Sequence, residues 1–333
     1  MTRRLNILTW PVHGSYFNAL AALEHDWYLP VKPGSPEGYG GRGGPRSTLP
    51  EYVREVPADA VCALNLDLVL YQTAKNWLED GPALLGDRRH ELPRVFVEHD
   101  TPRSHATDTP HPVDDPETLL VHVTNYNRLM WNNNRTPTVV VEHSVSMPTS
   151  VEYVGRLDRG VTVVNEMKRR GRIAGLDLFL AARERVPLDL AGMKSDELGG
   201  AVGDIHYLDL HAVVAEYRFL YSPMRYTSLP LAVIEAMTMG MPVVAFATTE
   251  LPNVIRDGEN GYISCDPDEL VERMQSLIAD PAEARRLGAA ARATARERFG
   301  LDRFIRDWNR AFEAAMDLRA AAGSSAAYPR RAT

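Results

Sequence analysis

Short apolar runs separated by helix-length segments recur along the first half of the chain. The first run, residues 5–10, ends in a turn that contains proline and glycine, and an amphipathic stretch follows it. Strands that alternate with segments long enough for helices indicate βα units and a parallel sheet. The further runs that we predict to be buried strands are residues 66–71, 92–97, 119–124 and 138–142.

The same pattern restarts after residues 144–159, which contain turn residues and little periodicity. We therefore predict an α/β fold of two Rossmann-like parallel-sheet domains facing a cleft, with residues 1–148 as the first domain, 149–320 as the second and 321–333 as a flexible tail. The predicted strands of the second domain are residues 160–165, 188–191, 219–222, 242–246 and 262–264. Its predicted helices are residues 176–184, one that includes 213–217, 229–239, 268–278, 281–298 and 301–318.

Composition excludes several classes of protein. The chain has 333 residues and a net charge of −7, which argues against a protein that coats nucleic acid. Its two cysteines, Cys62 and Cys265, have no paired spacing, so neither a disulfide framework nor a cysteine-based zinc site is expected. The amino-terminal segment lacks the apolar region of a signal peptide, and no apolar run is long enough for a membrane span. We expect a cytoplasmic protein, and peripheral membrane contact stays open.

The segment 229–239 is predicted to be a buried helix with a single charge. Glu235 points toward the helix start, because side chains lean toward the amino terminus. There Thr227 and Ser228 are placed to cap the helix, and its free N–H groups can bind a diphosphate. A carboxylate two turns inside can accept hydrogen bonds from a ribose. The alternative is a structural Glu235 paired with a core arginine or a backbone amide.

A run of cations follows the first predicted strand of the second domain, at the strand end where open α/β sheets bind ligands. Lys168, Arg169, Arg170 and Arg172 offer positive charge to phosphate, and the arginines add bidentate geometry. The alternative is a solvated charged face. A basic segment and a helix start in one domain both point to phosphate binding.

Residues 221–261 closely resemble the donor-binding segment of retaining GT-B glycosyltransferases of family 4, also called group 1. The resemblance rests on Ser222-Pro223, on Glu235-Ala236-Met237, on Gly240-Met241-Pro242-Val243-Val244 and on the turn Asp257-Gly258-Glu259-Asn260-Gly261. It extends more weakly over residues 160–299. The first half of the chain matches only in its pattern of elements. The resemblance implies a GT-B architecture, with the donor bound by the second domain and the acceptor mainly by the first. It also implies that the terminal helix, residues 301–318, packs back across the domains.

The resemblance assigns roles to residues of the second domain. Glu235 is similar to the second glutamate of the family's E-x7-E motif, which binds the donor ribose. Thr227 stands where the family has the first glutamate, which contacts the donor sugar. Ser228 and Leu229 match positions whose backbone N–H groups meet the phosphates.

Further roles are implied for the diphosphate and for the first domain. Arg169 matches the arginine of the family's Arg-x4-Lys-Gly motif, whereas Ala174 stands in place of its lysine, and Arg172 can substitute from a shifted position. Gly14 fits the glycine-rich first turn. His99 fits a histidine near the transferred sugar, and the alternative for it is a loop residue with no role.

Two other patterns are given little weight. Residues 38–43 match G-x-G-x-x-G but do not follow a strand, so we prefer a flexible loop near the cleft to a dinucleotide site. Residues 98–115 are rich in His and Asp, yet their spacing matches no closed metal site, and we favour acceptor recognition there.

The resemblance therefore implies a hexosyltransferase-like enzyme that retains anomeric configuration and uses neither a metal nor a cofactor beyond its nucleotide-sugar donor. It also implies that cations and helix N–H groups stabilise the leaving diphosphate, and a front-face displacement is the route we expect. UDP and GDP donors are favoured. The acceptor, whether saccharide, lipid-linked or small molecule, stays open. The alternatives are an inactive GT-B protein that binds a nucleotide or a partner, a nucleotide-sugar epimerase, and an inverting transferase.

Overall fold

The computed structural model of the chain describes residues 3–11, 14–43, 47–148, 150–199 and 201–326. The chain forms two compact units. Unit 1 consists of Met1–Ser146 together with Leu301–Thr333, and unit 2 of Met147–Gly300. The first unit's leading segment thus ends two residues before the boundary that we placed at residue 148.

Unit 1 is built on a seven-stranded sheet in the order β3-β2-β1-β4-β5-β6-β7, and each strand pairs with its neighbours in parallel. The inner strands are almost wholly buried, which explains why they read as continuous apolar runs. The strands are β1 (Asn6–Thr9), β2 (Asp26–Val31), β3 (Val53–Pro57), β4 (Leu68–Tyr71), β5 (Arg94–Glu98), β6 (Thr118–His122) and β7 (Thr138–Val140).

The helices of unit 1 include the last helix of the chain. They are α1 (Gly14–Leu20), α2 (Gly81–Leu85), α3 (Asn125–Met130) and α10 (Leu301–Ala326). Our assignment of 149–320 to the second domain thus differs from the structure, in which α10 belongs to unit 1 and contacts β5 and β6. The predicted tail at 321–333 is wrong as far as Ala326, because the helix continues through it. Residues 327–333 lie outside the described part.

An aromatic cluster fixes α10 to unit 1. The ring centroids of Trp308 and Phe312 are 5.3 Å apart, and Phe312 in turn packs 6.3 Å from Trp27. Phe304 packs edge-on against Tyr16 of α1 at 5.8 Å. All five side chains are fully buried, and large aromatic groups contribute more apolar burial than any other side chains. The cluster explains why this helix belongs with a unit that begins three hundred residues earlier.

Burial of an ionisable group makes unit 1 sensitive to acid. His122 is fully buried at the end of β6, and its Nε2 lies 2.7 Å from Asn133 Oδ1. Burial lowers the pKa of His122 from 6.5 to about 4. Because the folded state favours the neutral ring, the unfolded chain binds more protons between these two values. The contribution of the neutral His122 ring to stability is therefore complete at pH values above 6.5, the pKa in the unfolded chain. It is lost as the pH falls toward the pKa of the folded state, about 4.

We expect this group to lower the free energy of unfolding of unit 1 by about 2 kcal/mol when the pH falls from neutral to about 5. His122→Gln removes that part of the pH dependence. His105→Gln, in an exposed loop, retains it. Urea denaturation at several pH values measures the difference, and an unchanged pH dependence in His122→Gln would contradict the assignment.

Unit 2 carries a six-stranded parallel sheet in the order β10-β9-β8-β11-β12-β13. Its strands are β8 (Leu157–Val163), β9 (Leu188–Ala191), β10 (Ala201–Gly203), β11 (Tyr217–Ser222), β12 (Val243–Phe246) and β13 (Tyr262–Ser264). Its helices are α4 (Met167–Arg170), α5 (Leu176–Arg183), α6 (Tyr207–Val214), α7 (Leu231–Met239), α8 (Pro267–Ala279) and α9 (Pro281–Arg298). The predicted helix through residues 213–217 is wrong at its end, since Tyr217 already begins β11.

Among the residues that the structure describes, no helix combines the length and the apolar character that crossing a membrane requires.

Candidate active site

The strand order places a crevice at the centre of the sheet of unit 2. Strands β8 and β11 are neighbours in the sheet, although β9 and β10 lie between them in the chain. The direction in which the sheet grows therefore reverses between them. Open α/β sheets bind ligands outside the carboxyl ends of their strands at such a point. The segments that follow β8 and β11 thus define the candidate donor site.

Helix α7 starts beside this crevice, after a proline. Pro230 occupies the N-cap position, with φ −62° and ψ 126°. Our prediction that Thr227 and Ser228 cap the helix is wrong, because the helix begins two residues later than predicted and no described side chain caps it. The first N–H groups of a helix have no intrahelical partner, so the start of α7 keeps its capacity to bind an anion.

Ser228 lies buried just before α7, as does Leu229. The carbonyl of Ser228 accepts a hydrogen bond from Thr249 Oγ1 at 3.2 Å. Thr248 Oγ1 donates to the carbonyl of Met224 at 3.0 Å. Two hydroxyls that follow β12 thus hold both ends of the loop between β11 and α7. Ser228 Oγ itself has no hydrogen-bond partner among the described residues, which leaves it able to bond a ligand.

The carboxylate of Glu235 faces a histidine of α6. Glu235 Oε2 lies 3.5 Å from His211 Nε2, and the Glu235 side chain is 14% exposed. The partner is therefore neither of the two that we considered, a core arginine or a backbone amide. A carboxylate has about four lone-pair positions, so one neighbour at this distance leaves Glu235 able to accept hydrogen bonds from ribose hydroxyls.

The cations of α4 are paired with acidic side chains. Arg169 Nη2 lies 2.6 Å and Lys194 Nζ 2.8 Å from the carboxylate of Glu166, and these two cations lower the pKa of Glu166 to about 2. Lys168 Nζ is 4.0 Å from Glu197. Both Arg169 and Lys168 remain mostly exposed. Phosphate binding by them stays a prediction, and a diphosphate would have to replace these carboxylates.

A second charged cluster joins the two segments of the crevice. Arg172 Nη1 lies 2.7 Å from Asp177 Oδ2, and Arg225 Nη2 donates to the same oxygen at 2.8 Å. Arg225, followed by Arg172, lowers the pKa of Asp177 to about 2. Two guanidinium groups on one carboxylate leave a net positive charge here. Sequence reasoning missed Arg225, whose signal is its place two residues after the Ser222-Pro223 turn.

Gly175 allows the segment that follows β8 to lie close to the segment that follows β11. Its φ is +77°, and a Cβ at this position would lie 1.9 Å from the carbonyl oxygen of Pro223. The loop before α5 therefore approaches the end of β11 more closely than any side chain allows. Ala174, where the resemblance implies a lysine, is fully buried and offers no cation. Arg172 and Arg225 thus add positive charge to the crevice that Ala174 does not supply.

In unit 1 the corresponding crevice lies between β1 and β4. Gly14 is the first residue of α1, which follows β1, and the two residues before it lie outside the described part. His99 follows β5, and its ring packs edge-on against Tyr16 with 4.6 Å between centroids. His99 Nε2 is 3.2 Å from Oε1 of Gln72, which follows β4. Gly14 and His99 thus belong to the same edge of this sheet, and Gln72 was missed.

Side chains of the acidic and histidine-rich segment 98–115 are paired, one pair lying within the segment and another joining it to Arg135. Glu98 Oε2 lies 3.2 Å from His111 Nε2, and Asp114 Oδ1 lies 2.9 Å from Arg135 Nε. Across the described residues, no group of three or more metal-ligating side chains is placed to hold an ion. Acceptor recognition by this segment stays a prediction.

The glycine-rich segment 38–43 is anchored rather than flexible. Tyr39 is buried, its hydroxyl donates to Asp80 at 2.8 Å, and Lys32 Nζ lies 3.8 Å from its ring centroid. Arg42 donates to backbone carbonyls of the segment that leads into β3. The described residues between β2 and β3 include no helix, so the strand-turn-helix context of a dinucleotide site is missing.

Part of the chain that contains this crevice matches a known protein family. Residues 152–280 match the model of the glycosyl transferases group 1 family. MMP α-(1→4)-mannosyltransferase from Mycolicibacterium hassiacum is 36% identical over 94 residues, which are 27% of this chain and 23% of that protein. The matched segments span between 17% and 25% of the lengths of the curated relatives.

Solved structures match far more of the chain. Sucrose-phosphate synthase from Thermosynechococcus elongatus superposes with a TM-score of 0.68 at 16% identity, covering 93% of this chain and 99% of that one. HepE from Anabaena, in complex with UDP, gives a TM-score of 0.68 at 13% identity over 94% and 100% of the two chains. At these identities the likeness establishes the fold. The predicted GT-B class, with two Rossmann-like parallel-sheet domains, is confirmed.

Proposed function

We propose that this chain, whose second unit carries a glycosyl transferases group 1 domain, transfers a sugar from a nucleoside diphosphate donor to an acceptor. One observation carries the proposal. The crevice of unit 2 gathers the start of α7, the buried Ser228 hydroxyl and the carboxylate of Glu235 about one turn inside the same helix. Arg172 and Arg225 lie on the segments that follow β8 and β11. These are the groups that a diphosphate and its ribose require.

The chemical task is to stabilise the diphosphate as it leaves the sugar. The N–H groups at the start of α7 and the Ser228 hydroxyl donate to the phosphate oxygens, and Arg169 and Arg172 neutralise the growing charge. Glu235 accepts hydrogen bonds from the ribose. We propose that no divalent metal takes part and that the anomeric configuration is retained. In a front-face displacement, the leaving phosphate accepts the proton of the attacking hydroxyl.

UDP is the first donor nucleotide to test and GDP the second. The HepE structure holds UDP, and a curated relative is named a mannosyltransferase, which supports a hexose as the group transferred. For the acceptor we propose a hydroxyl of a saccharide, free or lipid-linked.

We expect UDP or GDP to raise the melting temperature by several degrees in a thermal-shift screen that also contains TDP and ADP, because a ligand present at about 100 times its Kd stabilises the folded state by about 2.7 kcal/mol. EDTA leaves the shift and the transfer rate unchanged. The anomer of the product, read by NMR, tests retention. The proposal fails if no nucleotide stabilises the chain and no donor in a nucleotide-sugar panel is consumed.

A second candidate is a GT-B protein that binds a nucleotide without transferring a sugar. Thr227 favours it, since a hydroxyl replaces a carboxylate that the family uses on the donor sugar. Stabilisation by a nucleotide, with neither hydrolysis nor transfer across the whole panel, supports this candidate and contradicts the transferase.

A further inference from the structure

A single carboxylate joins the segments that follow two neighbouring strands of unit 2. Glu166 follows β8, and Lys194 follows β9, which pairs with β8 in the sheet. Glu166 Oε1 lies 2.8 Å from Lys194 Nζ. Glu166 Oε2 accepts hydrogen bonds from Nε and Nη2 of Arg169 at 2.9 and 2.6 Å. The two oxygens of this carboxylate therefore lie between an ammonium group and a guanidinium group.

Two of these charged residues adopt a left-handed backbone conformation. The angle φ is +51° at Glu166 and +58° at Lys194, a region that residues with a Cβ rarely adopt. The surrounding chain holds them there: the N–H of Glu166 donates to the carbonyl of Met193 at 2.8 Å, and the N–H of Met193 donates to Asn165 Oδ1 at 3.0 Å. Such conformations persist where the surroundings enforce them, and they cluster at sites that bind ligands. The backbone therefore places the two charges beside each other.

The geometry is that of an anion held by two cations. A phosphate group also accepts hydrogen bonds from guanidinium and ammonium groups, so the Glu166 carboxylate stands where a phosphate could bind. Arg169, Lys194 and Glu166 together carry a net charge of +1, and Glu197 pairs instead with Lys168, at 4.0 Å. Both cations are mostly exposed, so an anion can reach them. Exposed ion pairs are weak, and a more highly charged anion can therefore replace the carboxylate.

We propose that Lys194 and Arg169 form one binding position for a phosphate group, and that Glu166 is a built-in competitor that occupies this position when no anion is bound. Binding of the anion requires the carboxylate to leave both cations. Its return when the anion leaves favours release of the nucleoside diphosphate product. The proposal rests on the proposed function for the identity of the anion, whereas the exchange of one anion for another does not depend on it.

The first test removes the charge of the competitor. In Glu166→Gln we expect the affinity for inorganic pyrophosphate to rise about 10-fold, because the two cations are no longer neutralised. Calorimetric titration of the full chain, at low salt and in EDTA, measures this affinity. A carboxylate that only orders the site would give the opposite result, so an unchanged or lower affinity in Glu166→Gln overturns the proposal.

Glu283→Gln is the matched control for this substitution. Glu283 also pairs with the arginine three residues later, Arg286, at 2.7 Å, and its side chain is 23% exposed, as is that of Glu166. The two variants lose the same charge from unit 2. We expect Glu283→Gln to bind pyrophosphate as the unaltered chain does. An equal gain in both variants would show a general effect of net charge and would overturn the proposal.

The second test asks whether Lys194 itself binds the anion. Added to Glu166→Gln, Lys194→Met should lower the affinity for pyrophosphate about 10-fold, because one of the two cations is lost. Lys194→Arg keeps the charge and should retain most of the affinity. An affinity that Lys194→Met leaves unchanged in this background overturns the assignment of Lys194.

A measurement on the unaltered chain decides the case in which Glu166→Gln does not fold. Carbon NMR with assigned side-chain carboxylates follows Glu166 and Glu283 while pyrophosphate is added. We expect the resonance of Glu166 to move, because its carboxylate leaves the two cations, and that of Glu283 to stay. A Glu166 resonance that does not respond overturns the proposal, as does the absence of pyrophosphate binding in every variant.

The outcomes separate this proposal from the function it rests on. If Glu166→Gln gains affinity for pyrophosphate but no nucleotide binds and no sugar is transferred, the anion site stands and the transferase function fails. If UDP or GDP binds and Glu166→Gln changes neither affinity, Glu166 is not a competitor, and the proposed function stands.

Discussion

Replacing Gly175 with alanine is expected to destabilise unit 2 by about 4 kcal/mol. A left-handed conformation costs a residue with a Cβ about 1–2 kcal/mol, and φ at this position is +77°. The added carbon would also lie 1.9 Å from the carbonyl oxygen of Pro223. Backbone on both sides cannot yield as a side chain can, so the two segments must separate, at a cost of about 1–3 kcal/mol.

Gly258→Ala is the matched control for this substitution. Gly258 also belongs to unit 2 and has a φ of +72°, but nothing lies within 4 Å of the added Cβ. It should cost only about 1 kcal/mol. Scanning calorimetry compares the unfolding transitions of the two variants. Equal decreases in the melting temperature would show that the left-handed backbone conformation alone, and not the close approach to Pro223, determines the loss of stability.

Glu235→Gln is expected to lower kcat/KM for the donor about 100-fold. Hydrogen bonds to a charged group are worth about 1.5–3 kcal/mol, and about 1.4 kcal/mol corresponds to a factor of ten. Because the ribose is bound equally before and during transfer, the loss should appear mainly in KM for the donor. Steady-state kinetics and calorimetric titration with the nucleotide measure both effects.

Glu272→Gln, on the exposed face of α8, is the matched control and should behave as the unaltered chain. The amide in Glu235→Gln preserves the shape of the side chain beside His211, so a folding defect is not expected to obscure the result. A variant that binds and transfers normally would remove Glu235 from the donor site, and the pair with His211 would then be structural.

Pattern analysis located strands whose sequences form short, mainly apolar runs. The predicted run at 188–191 coincides with β9, and that at 262–264 with β13. Strands β2 and β3 were missed because their sequences, DWYLPV and VREVP, mix polar residues and proline into the run. Strands β3 and β2 are the first two of the sheet order, away from its centre. Polar residues and proline are better tolerated there than in a central strand.

The site was predictable where a motif is continuous in sequence and not where it depends on packing. Glu235 and the start of α7 come from one segment, so helical spacing is enough to relate them. His211 reaches Glu235 from another helix, and Gln72 reaches His99 from another strand. Neither pair has a periodic signal, because side chains meet there only after the sheet or the helices have packed.

The end of the chain illustrates a different limit. Alanines favour a helix, yet residues 320–326 read as a tail because glycine and serine interrupt them. The amphipathic pattern of α10 predicts a buried face but not the surface that covers it. The packing of α10 against β5 and β6, and against the aromatic rings of Trp27 and Tyr16, shows that the helix belongs to unit 1.

The membership of α10 in unit 1 has a consequence for biosynthesis. Residues 1–146 cannot complete the core of unit 1 on their own, because Trp308 and Phe312 are translated only after the whole of unit 2. Unit 2 is continuous in sequence, so it can fold on the ribosome before α10 has been synthesised. Until then the amino-terminal segment of unit 1 keeps an apolar surface uncovered. A chain truncated after Gly300 would therefore expose apolar surface on unit 1 and not on unit 2.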